Sequence, residues 1–210
     1  MKRLALLGAS GHGKVVADLA TCAGWQEVVF FDDAWPQLKE NGAWKVSGDS
    51  KLLLEHVNEF DGVLVSIGDC AIRWHKHLEL KAAGAPLVTL IHPKACVSSM
   101  VRLAAGSAVM AGVVINVDVI MGEACIVNTG ATIDHDCTLG SAVHVSPGAH
   151  LSGNINVRNG SWIGLGALIK QGVTIGERVT VAAGAVVLSS VDDGKTVAGV
   201  PARELVKRRD

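Results

Sequence analysis

The feature that most constrains the fold is a six-residue repeat that runs without interruption from residue 101 to residue 190. The third residue of every frame is large and aliphatic, from Leu103 to Val187, and the first is always small or β-branched. An α-helix, with 3.6 residues per turn, cannot present a period of six on one face. The period is typical of a triangular solenoid in which each frame forms one flat side and a corner, and neighbouring coils stack. Fifteen frames of six residues, three to a coil, predict a parallel β-helix of five coils, and we expect it to be left-handed.

Composition agrees with tightly stacked backbone and limits the remaining possibilities. The 210 residues include 24 glycines and no tyrosine, and the formal net charge of −1 gives no basic field for nucleic acid. Five scattered cysteines without a CxxC pair indicate reduced thiols. The apolar run that ends at Gly8 is too short for a signal peptide, and no stretch approaches the ~20 apolar residues of a membrane span. We therefore predict a cytoplasmic protein without a membrane span.

The N-terminal part lacks the repeat and has a different organisation. Here short apolar runs alternate with helical patterns, an order that implies a small parallel sheet flanked by helices. We predict a Rossmann-like domain over residues 1–90 and the β-helix domain, with a short C-terminal tail, over residues 91–210. The predicted strands are 2–7, 27–33, 61–68 and 87–91, and the predicted helices are 14–23, 50–57 and 71–83.

A glycine-rich turn, GASGHG, joins the first predicted strand to the first predicted helix. The N–H groups of a helix N-terminus suit a diphosphate, but the spacing G-x-x-G-x-G is not the dinucleotide spacing, so NAD is not indicated. Asp32 and Asp33 end the second strand and Gly68 ends the third, at the edge where open α/β sheets bind ligands. We predict a nucleotide or nucleotide-sugar site here; the alternative is that the glycines only shape the turn.

A histidine between two aspartates stands out within the repeat. His135 follows the inward Ile133 by two residues and is flanked by Asp134 and Asp136, so it should lie at an outward corner. A neighbouring carboxylate fixes one tautomer and raises basicity, as a general base requires. One coil later in the same column, Gly153 would leave open surface beside the ring for a pantetheine arm. The alternative is an exposed polar corner without chemistry.

Two further histidines, His144 and His150, lie in the repeat. His144 is about half a coil from His135, so the two could converge only across a subunit interface. Three histidines on a β-helix also suggest an alternative, a zinc hydratase similar to γ-class carbonic anhydrases. Here the histidines are nine and six residues apart and form no His-x4-His pair, so we predict no metal site. Cys125 and Cys137 occupy small inward positions, which favours a core role over a nucleophile.

Seven segments, taken in order along the chain, resemble bacterial nucleotide-sugar acetyltransferases: GASGHGKVV, FFDD, SIGD with Arg73 four residues on, LIHP, IVNTGATIDHDC, VHVSPGAHLSGN and AGVPAR. The resemblance is to the sialic-acid O-acetyltransferase-like family, especially the UDP-4-amino-sugar N-acetyltransferases of the bacillosamine pathway. It covers essentially the whole chain. It implies acetyl-CoA as co-substrate, the amino group of a UDP-linked 4-amino-4,6-dideoxy sugar as acceptor, and a homotrimer with active sites between subunits.

The same resemblance assigns roles to individual residues. It makes His135 the general base and Asp136 the carboxylate that raises its basicity. It places the nucleotide sugar on Ser10, Gly11, His12, Asp32, Asp33, Gly68 and His77, and acetyl-CoA on His144, Gly153, Leu165 and Ala183. Two alternatives stay open: a sugar O-acetyltransferase of the sialic-acid type, and a non-enzymatic protein that binds sugar nucleotides as a scaffold.

Overall fold

The computed structural model describes residues 2–205, so the last residues of the predicted C-terminal tail lie outside it. The N-terminal part is an α/β layer whose five strands lie in the order β3-β4-β2-β1-β5. All neighbours are parallel except the β3–β4 hairpin. Its elements are β1 (Arg3–Leu7), α1 (Gly11–Cys22), β2 (Glu27–Phe31), β3 (Glu40–Asn41), β4 (Trp44–Gly48), α2 (Ser50–Glu55), a 3-10 turn (Val57–Glu59), β5 (Gly62–Val65) and α3 (Cys70–Ala82).

Side chains of the central strand β1 point alternately to the two faces of the sheet, and each face packs in its own core. Leu4 and Leu6 of β1 are buried in the same core as Val16 of α1, and that core continues into the solenoid. The intervening Ala5 and Leu7 face a second core with Leu53 of α2. A strand with both faces buried therefore needs helices on both sides, as the near-continuous apolar sequence of β1 predicts.

The structure differs from the sequence prediction at the edges of this sheet. The predicted fourth strand, 87–91, is divided: Leu87 makes a single bridge to Val63, whereas Leu90–Ile91 pairs with Ala108–Val109 of the solenoid. The six-residue pattern in fact extends back through TLIHPK, with Ile91 at the third position. The outer strands of the sheet come instead from the hairpin β3–β4, which the sequence prediction missed.

Beyond residue 89 the chain forms the predicted left-handed parallel β-helix, with three sheets as its faces. The first face contains β6 (Leu90–Ile91), β9 (Ala108–Val109), β12 (Ile126–Val127), β15 (His144–Val145), β18 (Trp162–Ile163), β21 (Thr180–Val181), β23 (Thr196–Ala198) and, antiparallel at the end, β24 (Arg203–Glu204). The second face contains β7 (Cys96–Val97), β10 (Val114–Ile115), β13 (Thr132–Ile133), β16 (His150–Leu151), β19 (Leu168–Ile169) and β22 (Val186–Val187). The third face contains β8 (Arg102–Leu103), β11 (Ile120–Met121), β14 (Thr138–Leu139), β17 (Asn156–Val157) and β20 (Thr174–Ile175).

Register and burial confirm the predicted repeat. Residues 18 apart pair across neighbouring coils, as Ile133 does with Leu151. Every third-position side chain from Val109 to Val187 is buried, and so is every first-position side chain from Ser107 to Ala185. The interior is therefore a stack of aliphatic layers with small residues next to the corners.

The corners explain why the chain needs so much glycine. Every sixth-position residue from Gly106 to Gly184 has a positive φ; eight of these are glycines and six are not. Left-handed backbone costs L-residues energy, and Asp and Asn tolerate it better than most. Asp136, with φ of 60°, is one of the six. The fold thus sets the backbone of one member of the histidine–aspartate pair.

Helix α3 fastens the α/β layer to the solenoid. The Arg73 guanidinium donates to the carbonyl oxygens of Ala124 and Ala142, which are corner residues of two successive coils. This contact places the carboxyl end of β5 against the first face. Over residues 2–205, no helix has the length and apolar character that crossing a bilayer demands.

Candidate functional site

The corner that carries His135 is held by Asp134. One oxygen of its carboxylate accepts from the His135 backbone N–H at 2.9 Å and from the Asn116 side-chain amide, one coil earlier, at 2.8 Å. Asp134 therefore braces the backbone, a role that the sequence did not separate from that of Asp136.

The imidazole of His135 is paired with Asp136. Its Nδ1 lies 2.7 Å from Asp136 Oδ2, and the side chain is 55% exposed. A carboxylate only accepts, so Nδ1 carries the proton and Nε2 is the free basic nitrogen of the neutral ring. The hydrogen bond to Asp136, with the negative charges of Asp134 and Asp136, raises the pKa of His135. This arrangement is what a general base needs.

Gly153 lies directly beneath this ring. A Cβ built on Gly153 would be 2.6 Å from both Cε1 and Nε2 of His135. The absence of a side chain therefore makes room for the imidazole itself. The expectation of open surface beside the ring was wrong, since the ring fills it; a contact between Gly153 and acetyl-CoA stays a prediction.

A cavity of about 590 Å³ lies between the α/β layer and the first face of the solenoid. It brings together five residues that the resemblance implied for ligand binding: His12, Gly68, His144, Leu165 and Ala183. Its volume is in the range of small-molecule sites. Residues assigned to two different substrates thus meet in one opening.

His144 forms the inner wall of this cavity. The side chain is buried, and Nδ1 lies 3.1 Å from the carbonyl oxygen of Gly68. One ring face stacks on Trp162 with centroids 5.1 Å apart, and the Trp162 indole N–H donates to Ser146 Oγ at 2.6 Å. Burial and then the charge of Arg73 lower the pKa of His144 to about 4. The ring is therefore neutral at neutral pH.

His12, at the start of α1, is the second imidazole at the cavity. Its centroid is 6.0 Å from that of His144, and burial with the charge of Arg73 lowers its pKa to about 4. Within residues 2–205, His12 Nε2 is buried without a hydrogen-bond partner. Buried polar atoms are rarely left unpaired. Among residues 2–205, His77 Nδ1 is also buried without a partner, but His12 lines the cavity, so its Nε2 is available to a ligand there.

The glycine-rich turn is partly structural and partly free. Gly8 has φ of +114°, and a Cβ there would be 2.5 Å from Ile67 Cγ1; a Cβ on Gly13 would collide with the Gly8 carbonyl oxygen. By contrast, a Cβ on Gly11 meets nothing within 4 Å, and Ser10 precedes the helix without a side-chain capping bond. Gly8 and Gly13 serve the fold, and Ser10 with Gly11 leaves the helix N-terminus accessible.

The acidic pair lies just beyond β2, at the expected sheet edge, and is already bonded to protein. Asp32 Oδ2 accepts from Ala9 N–H at 2.7 Å, which ties the glycine turn to β2. Asp33 Oδ1 accepts from Ser50 N–H at 2.9 Å, and hydrogen bonding to Ser50 lowers the pKa of Asp33. A further contact of either carboxylate with a nucleotide stays a prediction.

His77 is not brought to the cavity. It lies on α3, fully buried in the interface with the solenoid, where its Nε2 is 3.3 Å from Glu123 Oε2 and its ring stacks on Trp74. A Cβ on Gly106 would be 2.6 Å from His77 Nδ1, so that glycine makes room for the ring. These contacts describe a residue that docks the domains, and they leave its expected role in substrate binding without support.

Eight cavity residues escaped the sequence prediction, among them Asn128, Ser146, Trp162 and Thr180. A signal for these four existed, because Trp162 and Thr180 follow His144 in one column, and Asn128 and Ser146 share the column two residues further along the chain. Arg73 had no such signal, since its burial depends on the domain contact.

The expected core role of the thiols is confirmed: Cys125 and Cys137 are buried, and burial raises the pKa of Cys125 to about 12. Within the described residues no three His, Cys, Asp or Glu side chains group as metal ligands.

His135 and the cavity lie at different corners of the β-helix. His135 stands between β13 and β14, at the corner of the second and third faces. The cavity opens on the first face and at the corner where Leu165 and Ala183 lie. One chain therefore presents His135 and the cavity on separate sides.

Comparison of the sequence with known proteins identifies similar protein families and relatives. Residues 3–80 match the family described as the PglD N-terminal domain. UDP-N-acetylbacillosamine N-acetyltransferase of Bacillus subtilis (strain 168) is 34% identical over 114 residues, 53% of this chain and 52% of that protein. The match thus spans about half the length of that curated relative.

Solved structures match over the whole chain. The acetyltransferase domain of PglB from Neisseria gonorrhoeae FA1090, in complex with acetyl coenzyme A, is 43% identical with a TM-score of 0.93, and the match covers 97% of this chain and 99% of that one. PerB from Caulobacter crescentus, in complex with CoA and GDP-perosamine, is 37% identical with a TM-score of 0.92, and the match covers 98% of each chain. The chain therefore belongs to the family of bacterial nucleotide-sugar N-acetyltransferases that includes these two proteins.

Proposed function

We propose that this protein transfers the acetyl group of acetyl-CoA to the amino group of a UDP-linked 4-amino-4,6-dideoxy sugar, with His135 as general base. The observation that carries the proposal is the His135–Asp136 pair, whose 2.7 Å contact leaves Nε2 unprotonated on a side chain that is 55% exposed. The similar PglB domain binds acetyl coenzyme A, and similar PerB binds CoA and GDP-perosamine. The Bacillus subtilis relative supports UDP as the nucleotide.

The chemistry follows from the pair. The lone pair of the sugar amine attacks the thioester carbonyl carbon, and His135 Nε2 takes a proton from the attacking nitrogen. Asp136 holds the ring and stabilises the imidazolium through the Nδ1–H bond. As the C–N bond is completed, the C–S bond breaks and CoA leaves as the thiolate. The buried thiols of Cys125 and Cys137 take no part in this scheme.

The cavity is the proposed meeting place of the two substrates. The turn at Ser10 and Gly11 presents the N-terminus of α1 to the diphosphate, and Gly68 and His12 line the cavity. On the solenoid side, Leu165 and Ala183 offer an apolar path for the pantetheine arm. The nucleotide thus lies on the α/β layer and the thioester on the β-helix.

A homotrimer completes the site in this proposal. His135 and the cavity lie on different sides of one chain, so the base must reach the cavity of a neighbouring copy. Three apolar side chains close together at the cavity corner, Trp162, Leu165 and Leu168, are 40%, 59% and 44% exposed. Such surfaces mark association sites.

Release of CoA thiol tests the function. We expect thiol release from acetyl-CoA with UDP-4-amino-4,6-dideoxy sugars and none with sialic acid or with the corresponding 4-hydroxy sugar. Release with the hydroxyl acceptors alone would establish O-acetylation instead, and binding of UDP sugars without any release would leave a binding protein. Weaker turnover of UDP than of GDP amino sugars would contradict the choice of nucleotide.

Replacement of His135 tests the base. His135→Ala should lower kcat by about 10²–10⁴-fold, the usual contribution of general-base catalysis, with an unchanged melting temperature. His150→Ala is the matched control, because His150 is an exposed solenoid histidine, and among residues 2–205 its ring hydrogen bonds to Thr132 alone. Near-wild-type turnover of the His135 variant would contradict the assignment, and a monomer by light scattering would contradict the shared site.

A further inference from the structure

A fully buried guanidinium lies where the two domains meet. Arg73 Nε donates to Ala124 O at 2.7 Å and Nη2 to Ala142 O at 2.8 Å, both on the solenoid. Nη1 donates to Ile67 O at 3.0 Å and to Gly68 O at 2.7 Å, at the carboxyl end of β5. Within residues 2–205, every hydrogen bond of this group goes to a carbonyl oxygen and none to a carboxylate.

Such an arrangement exceeds what domain packing requires. Burying a cation carries a desolvation cost of several kcal/mol, and apolar residues of similar volume commonly pack at least as stably. The neighbouring helix position His77 shows that α3 can dock on the same corner without a permanent charge. The four bonds of Arg73 instead fix the segment after β5, at Ile67 and Gly68, relative to two corners of the solenoid, at Ala124 and Ala142.

One of those carbonyls connects Arg73 to His144. Gly68 O accepts from Arg73 Nη1 at 2.7 Å and lies 3.1 Å from His144 Nδ1. A carbonyl oxygen has two lone pairs and no proton, so both neighbours must be donors. The neutral His144 ring therefore carries its proton on Nδ1, and Nε2, beside the Asn128 side-chain amide at 3.4 Å, is an acceptor at the cavity.

We propose that Arg73 is a positioning residue for acetyl transfer. By fixing the place of the Gly68 carbonyl relative to two solenoid corners, it holds His144 in the Nδ1–H tautomer, with Nε2 as an acceptor at the cavity. The relevance to turnover rests on the proposed function. The charge of Arg73 acts in the same direction, because with burial it keeps the pKa of both His12 and His144 near 4, so both rings stay neutral.

The tautomer can be read directly by ¹⁵N NMR of the full chain labelled on histidine, at neutral pH and without substrates. The His144 signals, assigned with His144→Asn, should show a single Nδ1–H tautomer in the wild type. In Arg73→Met they should shift towards Nε2–H, because Gly68 O loses its fixed place. Arg73→Lys, which keeps the charge but cannot reach four carbonyls, should shift them in the same direction and covers the case in which the methionine variant does not fold.

Kinetics separate positioning from mere docking. Glu123→Gln is the matched control: it removes the negative charge that faces His77 and Lys81 of α3 at the same corner and leaves Gly68 untouched. Arg73 variants should lower kcat/KM by about 10²-fold, the cost of a displacement near 1 Å, whereas Glu123→Gln should change it less than threefold at a similar loss of melting temperature.

Two results would overturn the proposal. One is a single Nδ1–H tautomer that survives in the folded Arg73 variants. The other is an equal loss of kcat/KM in Glu123→Gln, which would make Arg73 a docking residue only. Because the NMR measurement needs no turnover, it remains decisive for the His144 tautomer if the protein transfers no acetyl group.

Discussion

Adding one methyl group at Gly153 should disable His135, the proposed general base, while leaving the fold intact. Gly153→Ala places a Cβ that would be 2.6 Å from both Cε1 and Nε2 of His135. Gly153 does not have the positive φ that strains other residues, so alanine fits the backbone itself. The three atoms nearest to that Cβ all belong to the His135 imidazole, so the methyl group acts first on the ring.

The size of the effect follows from that distance. Carbon atoms in contact rest about 3.5–4.0 Å apart, so the ring must move by roughly 1 Å. This movement also pulls Nδ1 from Asp136 Oδ2, now 2.7 Å away. A misplacement of about 1 Å in a catalytic group costs about 10²-fold in rate, or close to 3 kcal/mol of activation free energy. We expect kcat to fall by about that factor.

Steady-state thiol release with acetyl-CoA and the amino-sugar acceptor measures kcat, and calorimetry measures the melting temperature. Val117→Ala is the control, because Val117 occupies the same column one coil before His135 and its truncation adds no volume near the ring. The expected pattern is a large loss of kcat in Gly153→Ala, little loss in Val117→Ala, and melting temperatures close to wild type in both. If Gly153→Ala kept kcat within twofold of wild type, the ring position at Gly153 would not matter for catalysis.

Three further predictions concern Asp136, His144 and Ala183. Asp136→Asn removes the carboxylate that raises the pKa of His135, so the acid limb of kcat/KM should move to lower pH and the plateau should fall; an unmoved limb in the pH–rate profile would contradict the pairing. His144 has a pKa of about 4 when folded against an ordinary value of 6.5, so the unfolded state binds more protons and stability falls as pH drops from 6.5 to 4, by about 3 kcal/mol in total. His144→Gln should lose that part of the pH dependence of stability, measured by urea unfolding at fixed protein concentration, whereas the exposed control His75→Gln should keep it. If the free energy of unfolding changed equally with pH in the wild type and both variants, His144 would not be a buried neutral histidine. Ala183→Trp should fill the cavity rim and raise the KM for acetyl-CoA by at least about tenfold, near 1.4 kcal/mol, and an unchanged KM would place the pantetheine arm elsewhere.

Much of the solenoid could be predicted because its contacts are local in the repeat. The strand of each frame pairs with those of the frames 18 residues before and after it, so inward positions such as Ile133 and outward positions such as His135 follow from counting. The same counting could have found Trp162 in the column of His144. It would also have shown that the first rung begins at Leu90–Ile91, where a strand of the N-terminal sheet was predicted instead.

The α/β layer was predictable in its order of elements and less so in the use of its polar residues. Asp32 was expected at the sheet edge, and it lies just beyond β2, yet its carboxylate already accepts from Ala9. His77 was expected at the substrate and is buried against Glu123. Both outcomes depend on which neighbours the folded chain brings within hydrogen-bond distance, and residue type alone does not specify them.

The sequence by itself determined the β-helix, its inward register and the corner that carries His135 and Asp136, because a strict period of six repeats one local geometry. Only the tertiary structure decided that Gly153 makes room for the His135 ring, that Arg73 is buried among carbonyls, and that the cavity joins His12 to His144. These features come from the docking of one domain on another and from side-chain directions at corners. Long-range contacts of that kind leave no period in the sequence, since each is made once.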